Sequence, residues 1–467
     1  MERKNVWKEY DQKQLREVNK LAEAYKDFIS KAKTERLCVD YAIAEAKEAG
    51  AIDLNKAIRD GNPLEPGDKF YIHHMGKLLI MGIIGKEPLD NGMNILGAHI
   101  DSPRMDIKQN PLYENADFAF LDTHYYGGIK KYQWVTIPLA IHGVVAKKDG
   151  KVVNIAIGDD PEDPVFCVTD LLIHLSAKQM GKTANVVIEG EALDILIGSQ
   201  PLVKEGKKGK DLKEAVKENV LEILKKKYKI EEEDFISAEL EVVPAGPARD
   251  LGFDRSMIMA YGHDDRVCAY TSYKALLDSK TPNRTAICLL TDKEEVGSIG
   301  ATGMESRFFE DVIAELMHLQ GEYSDIAMRR CLRNSCVLSS DVSAGFDPSF
   351  PEVFEKKNTA FLGRGICFNK FTGRGGKGGS NDANAEYMGK IRKILDKAKI
   401  GWQTAELGKV DEGGGGTIAY ILANYGMNVI DSGVAVLCMH GPWEIASKAD
   451  IYEAYRCYKT FLQEMEM

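Results

Sequence analysis

Apolar and polar positions change their period several times along this 467-residue chain. In the first 50 residues apolar positions recur at helical spacing among Lys, Glu and Ala, which predicts helices over Gln12–Lys31 and Thr34–Ala49. The turn-rich DGNPLEPGD (60–68) follows, and then LLIMGII (78–84) and MNILGA (93–98) read as buried strands. After about residue 105 short β-like segments take over: QWVTIPLAIHGVVA, KVVNIAIG, TANVVIEG and LDILIG, with Asp149-Gly150 as a tight hairpin turn between the first two. A lysine-rich stretch, Lys204–Lys229, reads as a solvated helix. From about residue 255 strands alternate with helices. RTAICLLT (284–291), SCVLSSD (335–341) and NVIDSGVAVLCMH (428–440) are the strands; Arg266–Leu277, Glu305–Leu319, Asp382–Lys399 and Ile445–Gln463 are the helices.

That alternation predicts an α/β fold with a mostly parallel central sheet and helices on both faces. The chain is too long for one ordinary core. Its simplest organisation is a discontinuous domain over residues 1–105 and 255–467, interrupted by an inserted β-rich domain over 106–254. Composition is that of a globular protein, 44% apolar and 28% charged. The net charge of −10 argues against nucleic acid or an anionic membrane as the main partner. The opening MERKNVWKEYDQKQLREVNK lacks the apolar core of a secretory signal, and no apolar run approaches the roughly 18 residues that span a bilayer. Nine cysteines without a C-x-x-C pair read as small buried hydrophobes in a reducing compartment. The expectation is therefore a cytoplasmic protein.

The chemistry-bearing residues cluster where predicted strands end, which is where open α/β sheets bind ligands. GAHIDSP places His99 after a strand, with Asp101 two residues on to orient the imidazole. TDKEEVGS places Glu294 and Glu295 after RTAICLLT, one able to ligate a metal and the other to move a proton. GHDDR supplies Asp264 and Asp265 at a turn entering a helix, SSDVSAGFDP supplies Asp341, and MHGPWE supplies His440. Taken alone, His99 and the glutamate pair read equally well as a structural histidine and a solvated acidic loop, and Asp264, Asp341 and His440 read better as capping aspartates and a structural histidine. Together their stoichiometry closes on two divalent metals. Asp264 bridges, His99 and Asp341 complete one site, Glu295 and His440 complete the other, and Glu294 remains as general base. Nitrogen and oxygen donors without thiolate suit zinc, with manganese or cobalt as alternatives. Of the two glycine-rich tracts, GRGGKGGSND (373–382) lacks P-loop spacing, whereas EGGGGT (412–417), with Gly414 and Gly415, offers backbone that can approach a substrate closely. Lys370 is a further candidate for contact with a substrate carbonyl or carboxylate.

GAHIDSP, GHDDR, TDKEEVGSIGATG, SSD and MHGPWEIASKADIYEAYR, in this order, resemble the co-catalytic metallopeptidases, and most closely the aspartyl aminopeptidase/aminopeptidase I family. The resemblance runs over nearly the whole chain. It implies an aminopeptidase acting on peptides, the metal and base roles above, and a cis Asp264–Asp265 peptide. It also implies a homo-oligomer, a dodecamer built from dimers, in which the inserted domain makes dimer contacts. LLIHL (171–175) resembles a segment that presents a histidine to a neighbouring subunit's active site, which makes His174 a candidate; a structural histidine on an amphipathic helix is the other reading. The family's aspartyl-specific members carry histidines after the metal-binding aspartate, where this chain has Ala344 and Asp347 in DVSAGFDP. That departure favours the aminopeptidase I branch and neutral or apolar N-terminal residues, with an aspartyl or glutamyl preference as the alternative. A deacylase or carboxypeptidase on a related fold, or a scaffold without activity, is the remaining alternative.

Overall fold

The computed structural model describes residues 3–203 and 213–466. The first part of the lysine-rich stretch, residues 204–212, lies outside them. The chain forms two compact units. Met1–Asp101, Ala248–Met439 and Glu444–Met467 make one, and Ser102–Pro247 with His440–Trp443 makes the other.

Among the described residues the first unit carries a nine-stranded sheet. Its strands run, in spatial order, Ile52–Asp53, Lys69–His74, Leu78–Ile83, Ala286–Thr291, Asn94–His99, Cys336–Ser340, Asn428–Gly433, Ile366–Asn369 and Trp402–Thr404. The four strands from Ala286–Thr291 to Asn428–Gly433 are mutually parallel. Register sets Thr291 opposite His99 and Ser339 opposite Gly97, so the carboxyl ends of three strands finish at one level. Side chains of a strand alternate between faces, and here the alternation divides two cores. Leu96, Ala98, Cys288, Leu290, Leu338 and Ile430 face a core that includes Tyr25, Phe28, Tyr273 and Tyr458. Ile95, Ile287, Leu289, Val337 and Val429 face another, with Phe309, Ile313, Leu316 and Leu422. Helices thus cover both faces of a sheet that is parallel at its centre, as the pattern predicts.

Helix limits follow local capping. Asp11 and Gln14 form a capping box ahead of Gln12–Lys31, and the Thr34 hydroxyl accepts from the Leu37 amide at the start of Glu35–Glu48. The helix expected from Asp382 begins at Ala385, because Asn384 caps it by accepting from the Tyr387 amide. The helix expected from Glu305 begins at Phe308. Ile445 lies not in a helix but in the strand Glu444–Ser447, and the last helix is Lys448–Glu464. NVIDSGVAVLCMH is two strands, not one. Asn428–Gly433 belongs to the nine-stranded sheet, and Ala435–Leu437 to a five-stranded sheet with Arg249–Leu251, Met257–Ala260, Ser343–Ala344 and Glu444–Ser447.

Among the described residues the second unit carries a seven-stranded sheet whose strand pairs are antiparallel. The Leu139–Ala146 and Val152–Ile157 strands form the expected hairpin, closed by Lys147 and Lys151 around Asp149-Gly150. TANVVIEG forms turns rather than a strand. The described part of the lysine-rich stretch is helical over Ala215–Tyr228. All nine cysteines are free thiols; seven are buried as expected, but Cys167 is half-buried and Cys438 exposed. No helix among the described residues is long and apolar enough to cross a membrane.

Candidate metal centre

His99 is the last residue of its strand and is 2% exposed. Its Nδ1 lies 3.0 Å from the Asp101 carbonyl and 3.2 Å from Asp101 Oδ1. A carbonyl only accepts, so Nδ1 carries a proton, and Nε2 is the nitrogen that would face a metal. Nε2 is 3.2 Å from Asp264 Oδ1 and 3.9 Å from Glu294 Oε2. Burial opposes the imidazolium, but hydrogen bonds to Asp101 and Asp264 and the charge of Glu294 outweigh it and hold the His99 pKa well above its ordinary value.

Asp101 does more than orient a ring. Its Oδ1 accepts the Glu294 amide at 3.1 Å and its Oδ2 the Glu295 amide at 3.2 Å. The neighbouring loop is shaped to meet it. After Thr291, Asp292 accepts from the Lys293 amide and from the Thr302 hydroxyl, Lys293 turns the chain with φ +69°, and Glu294–Val296 forms a 3₁₀ turn. One buried carboxylate therefore ties two strand ends together.

Asp264 and Asp265 open the helix His263–Leu277, and the peptide between them is cis, as the resemblance implies. Gly262 (φ +77°) precedes them; a Cβ there would come within 1.7 Å of the Arg266 guanidinium, which donates to the Gly262 and Ala32 carbonyls. His263 donates from Nε2 to the Ile258 carbonyl and accepts the Tyr25 hydroxyl at 2.7 Å, fixing the turn from below. The Asp264 amide donates to Glu444 at 2.9 Å. Asp341 follows its strand directly. Burial foremost, then the charges of Asp265 and Glu294, push its carboxyl well above the usual range against the pull of His99. Burial likewise raises Asp265.

Ligand atoms of His99, Glu294 and Glu295 lie within 4.8 Å of one another, and so do those of His99, Asp265 and Asp341. Six buried or half-buried carboxylates, Asp101 included, gather around one imidazole, a crowding of like charge that a shared cation would relieve. The donors are nitrogen and oxygen only, which fits zinc or a similar divalent ion. Asp265 and Glu444 were not assigned a role from the sequence; both sit inside motifs that were singled out, GHDDR and MHGPWE, next to residues that drew the attention.

The other expected residues are placed as follows. His440 belongs to the second unit, directly after Met439, where its Nδ1 donates to the Gly128 carbonyl at 2.9 Å and leaves Nε2 as the lone-pair nitrogen. His174 sits in an exposed 3₁₀ turn, Ile173–Leu175, not on an amphipathic helix. Lys370 is ion-paired with Asp382. At Gly414 (φ +117°) a Cβ would lie 2.7 Å from Arg374 Cα, and the Gly415 amide donates to the Thr372 carbonyl. The two glycine-rich tracts thus pack backbone against backbone.

The aminopeptidase I zinc metalloprotease (M18) family model matches residues 28–462. Probable M18 family aminopeptidase 1 from Clostridium acetobutylicum is 60% identical over 461 residues, 99% of this chain and 98% of that protein. The crystal structure of the M18 family aminopeptidase from Thermotoga maritima superposes with a TM-score of 0.93 at 43% identity, over 100% of both chains. The S. cerevisiae mApe1 dodecamer structure shares the fold at 20% identity, with a TM-score of 0.76 over 94% of this chain and 96% of that one. With this likeness over its whole length, the chain belongs to the M18 family of zinc metalloproteases and is a metallo-aminopeptidase.

Proposed function

We propose that this aminopeptidase removes neutral or apolar N-terminal residues from peptides, with two divalent ions held by His99, Asp264, Glu295, Asp341 and His440 and with Glu294 as general base. The observation that carries this reading is the carboxylate cluster around His99, locked by the Asp101 clamp at the aligned ends of parallel strands. Two bound metals would supply Lewis acidity toward the scissile carbonyl and a lowered pKa for the attacking water. Asp101 holds the His99 tautomer and fixes the backbone of both glutamates. Glu294, held by its amide and not needed as a ligand in this count, accepts the proton of the attacking water and passes it to the leaving amine. Glu444 positions Asp264 through its amide, and Asp265 lies beside His99 and Asp341.

Replacing Glu294 with Gln leaves metal content intact and abolishes hydrolysis of an unblocked peptide; full activity in that variant would remove the base assignment. The substrate preference rests on Ala344 and Asp347, and a panel of aminoacyl substrates run on metal-stripped, zinc-reconstituted protein checks it. Faster cleavage of aspartyl than of leucyl substrates would reverse it.

The second unit, by this reading, joins subunits of a homo-oligomer, a dodecamer built from dimers. Leu171, Leu172, Ile173 and Leu175 are all exposed, from 46% to 70%, in one short segment. Such a run on a soluble surface marks an interaction site, and it would carry His174 toward a neighbouring subunit. Ile173→Asp with Leu175→Asp lowers the mass measured by light scattering; an unchanged mass would move the interface elsewhere.

A further inference from the structure

At the outer edge of the nine-stranded sheet lies a pocket of about 780 Å³ whose charge opposes that of the chain. Arg3, Lys356, Lys357, Arg364 and Arg392 line it, and among the described residues no carboxylate does. They come from the N-terminus, from the segment before the Ile366–Asn369 strand and from the helix Ala385–Ala398. Aromatic rings hold three of them. The Arg3 guanidinium sits 3.6 Å from the centre of the buried Trp402 ring, Arg364 lies 4.2 Å from that of Phe361, and the Lys356 ammonium 5.2 Å from that of Phe346. Stacking fixes a cation without neutralising it. Lys356, Lys357 and Arg392 are exposed, and among the described residues none of the three has an ion-pair partner. Nearby lysines are answered differently: Lys370 and Lys377 by Asp382, Lys397 by Glu464. Like charges gathered on one pocket repel one another, and Glu355 beside them is taken up by the Lys357 amide and the Asn358 side chain, so the pocket favours an anion.

We propose that this pocket binds a multiply charged phosphate compound, through a phosphate chain of the kind found in nucleoside triphosphates and inorganic tripolyphosphate. A single carboxylate would answer only one of Lys356, Lys357 and Arg392. Each phosphate group brings about −1.5 to −2 charge and three acceptor oxygens. The Arg3 guanidinium lies over the Trp402 ring, and a planar guanidinium fork engages phosphate oxygens in pairs. The volume falls within the roughly 300–1,000 Å³ of small-molecule sites. The pocket shares no residue with the metal centre. The Asn428–Gly433 and Ile366–Asn369 strands separate Trp402–Thr404 from the strand that delivers Asp341.

Calorimetric titration of the full-length, zinc-loaded chain with ATP and with tripolyphosphate, each as its magnesium complex, tests this. Both are expected to bind, and Lys356→Gln with Lys357→Gln and Arg392→Gln to weaken binding by about tenfold or more. Equal affinities assign recognition to the phosphate chain, and binding of ATP alone adds the nucleoside; either supports the site. Absence of binding by both anions overturns it. So does binding that the triple substitution leaves unchanged, since that heat would come from the metal centre or another surface. If neither anion binds and the triple substitution alters the oligomer mass, the pocket is a contact between copies, and the proposal is likewise overturned.

Discussion

At the centre of the nine-stranded sheet Asp264, Asp265, Glu294, Glu295 and Asp341 crowd around His99; at its edge five cations share one pocket. Each gathering is of one sign, but the two are held differently. The central carboxylates sit on backbone that is itself anchored, Glu294 and Glu295 by Asp101 and Asp264 by Glu444. The edge cations stand on long stems, and Lys356, Lys357 and Arg392 are in water. Fixed, buried charge binds ions tightly because the protein reorganises little, whereas solvated charge binds exchangeably and weakens with salt. The contrast suits a resident metal at the centre and a passing ligand at the edge.

The contrast can be broken from the centre outward. Glu294→Gln has the largest expected effect, a loss of about a hundred- to ten-thousand-fold in kcat/KM with zinc content unchanged. Leu96→Ala, at a fully buried position in the strand that ends at His99, should lower unfolding free energy by about 2–5 kcal/mol in urea titrations. Asp101→Asn keeps a side chain of the same shape but can accept only one of the two glutamate amides, and should weaken zinc affinity by about ten- to a hundred-fold, measured by competition with a chelator. Asp431 probes the sheet between centre and edge. Burial raises its pKa to about 6 despite hydroxyl donors from Thr417 and Ser339. A carboxyl raised in the folded state contributes its stability fully below its unfolded pKa and loses it as pH rises through 6. The stability of Asp431→Asn relative to the parent should therefore increase between pH 4 and pH 8; a constant difference would show that Asp431 does not titrate with folding. The triple substitution at Lys356, Lys357 and Arg392 should change unfolding free energy by no more than about 0.5 kcal/mol and leave kcat/KM for peptides unaltered.

The centre was legible in the sequence because parallel strands buried on both faces leave unbroken apolar runs, and residues such as His99 and Asp341 interrupt those runs where they end. Asp265 and Glu444 were hidden by adjacency: a motif shows which residue types are present, not which carboxylate faces a ring and which holds an amide. The edge pocket was illegible, since Arg3, Lys356 and Arg392 are far apart in the chain and no short-range pattern links them. The helix expected from Ile445 starts only at Lys448 because Glu444–Ser447 pairs with Met257–Ala260 and Ala435–Leu437, a long-range partnership that overrides local periodicity. NVIDSGVAVLCMH failed as one strand for a related reason, since the local pattern carries no mark of the change of sheet at Val434.

That change of sheet makes Gly433 a silent partner of the metal centre. A Cβ at this position would come within 1.9 Å of the Asp341 carbonyl oxygen. A residue with no functional group thus sets where a reactive one stands. A single methyl added there would reach the chemistry as a displacement rather than as a lost contact, so the tolerance of this enzyme to mutation is to be mapped by clearance as well as by charge.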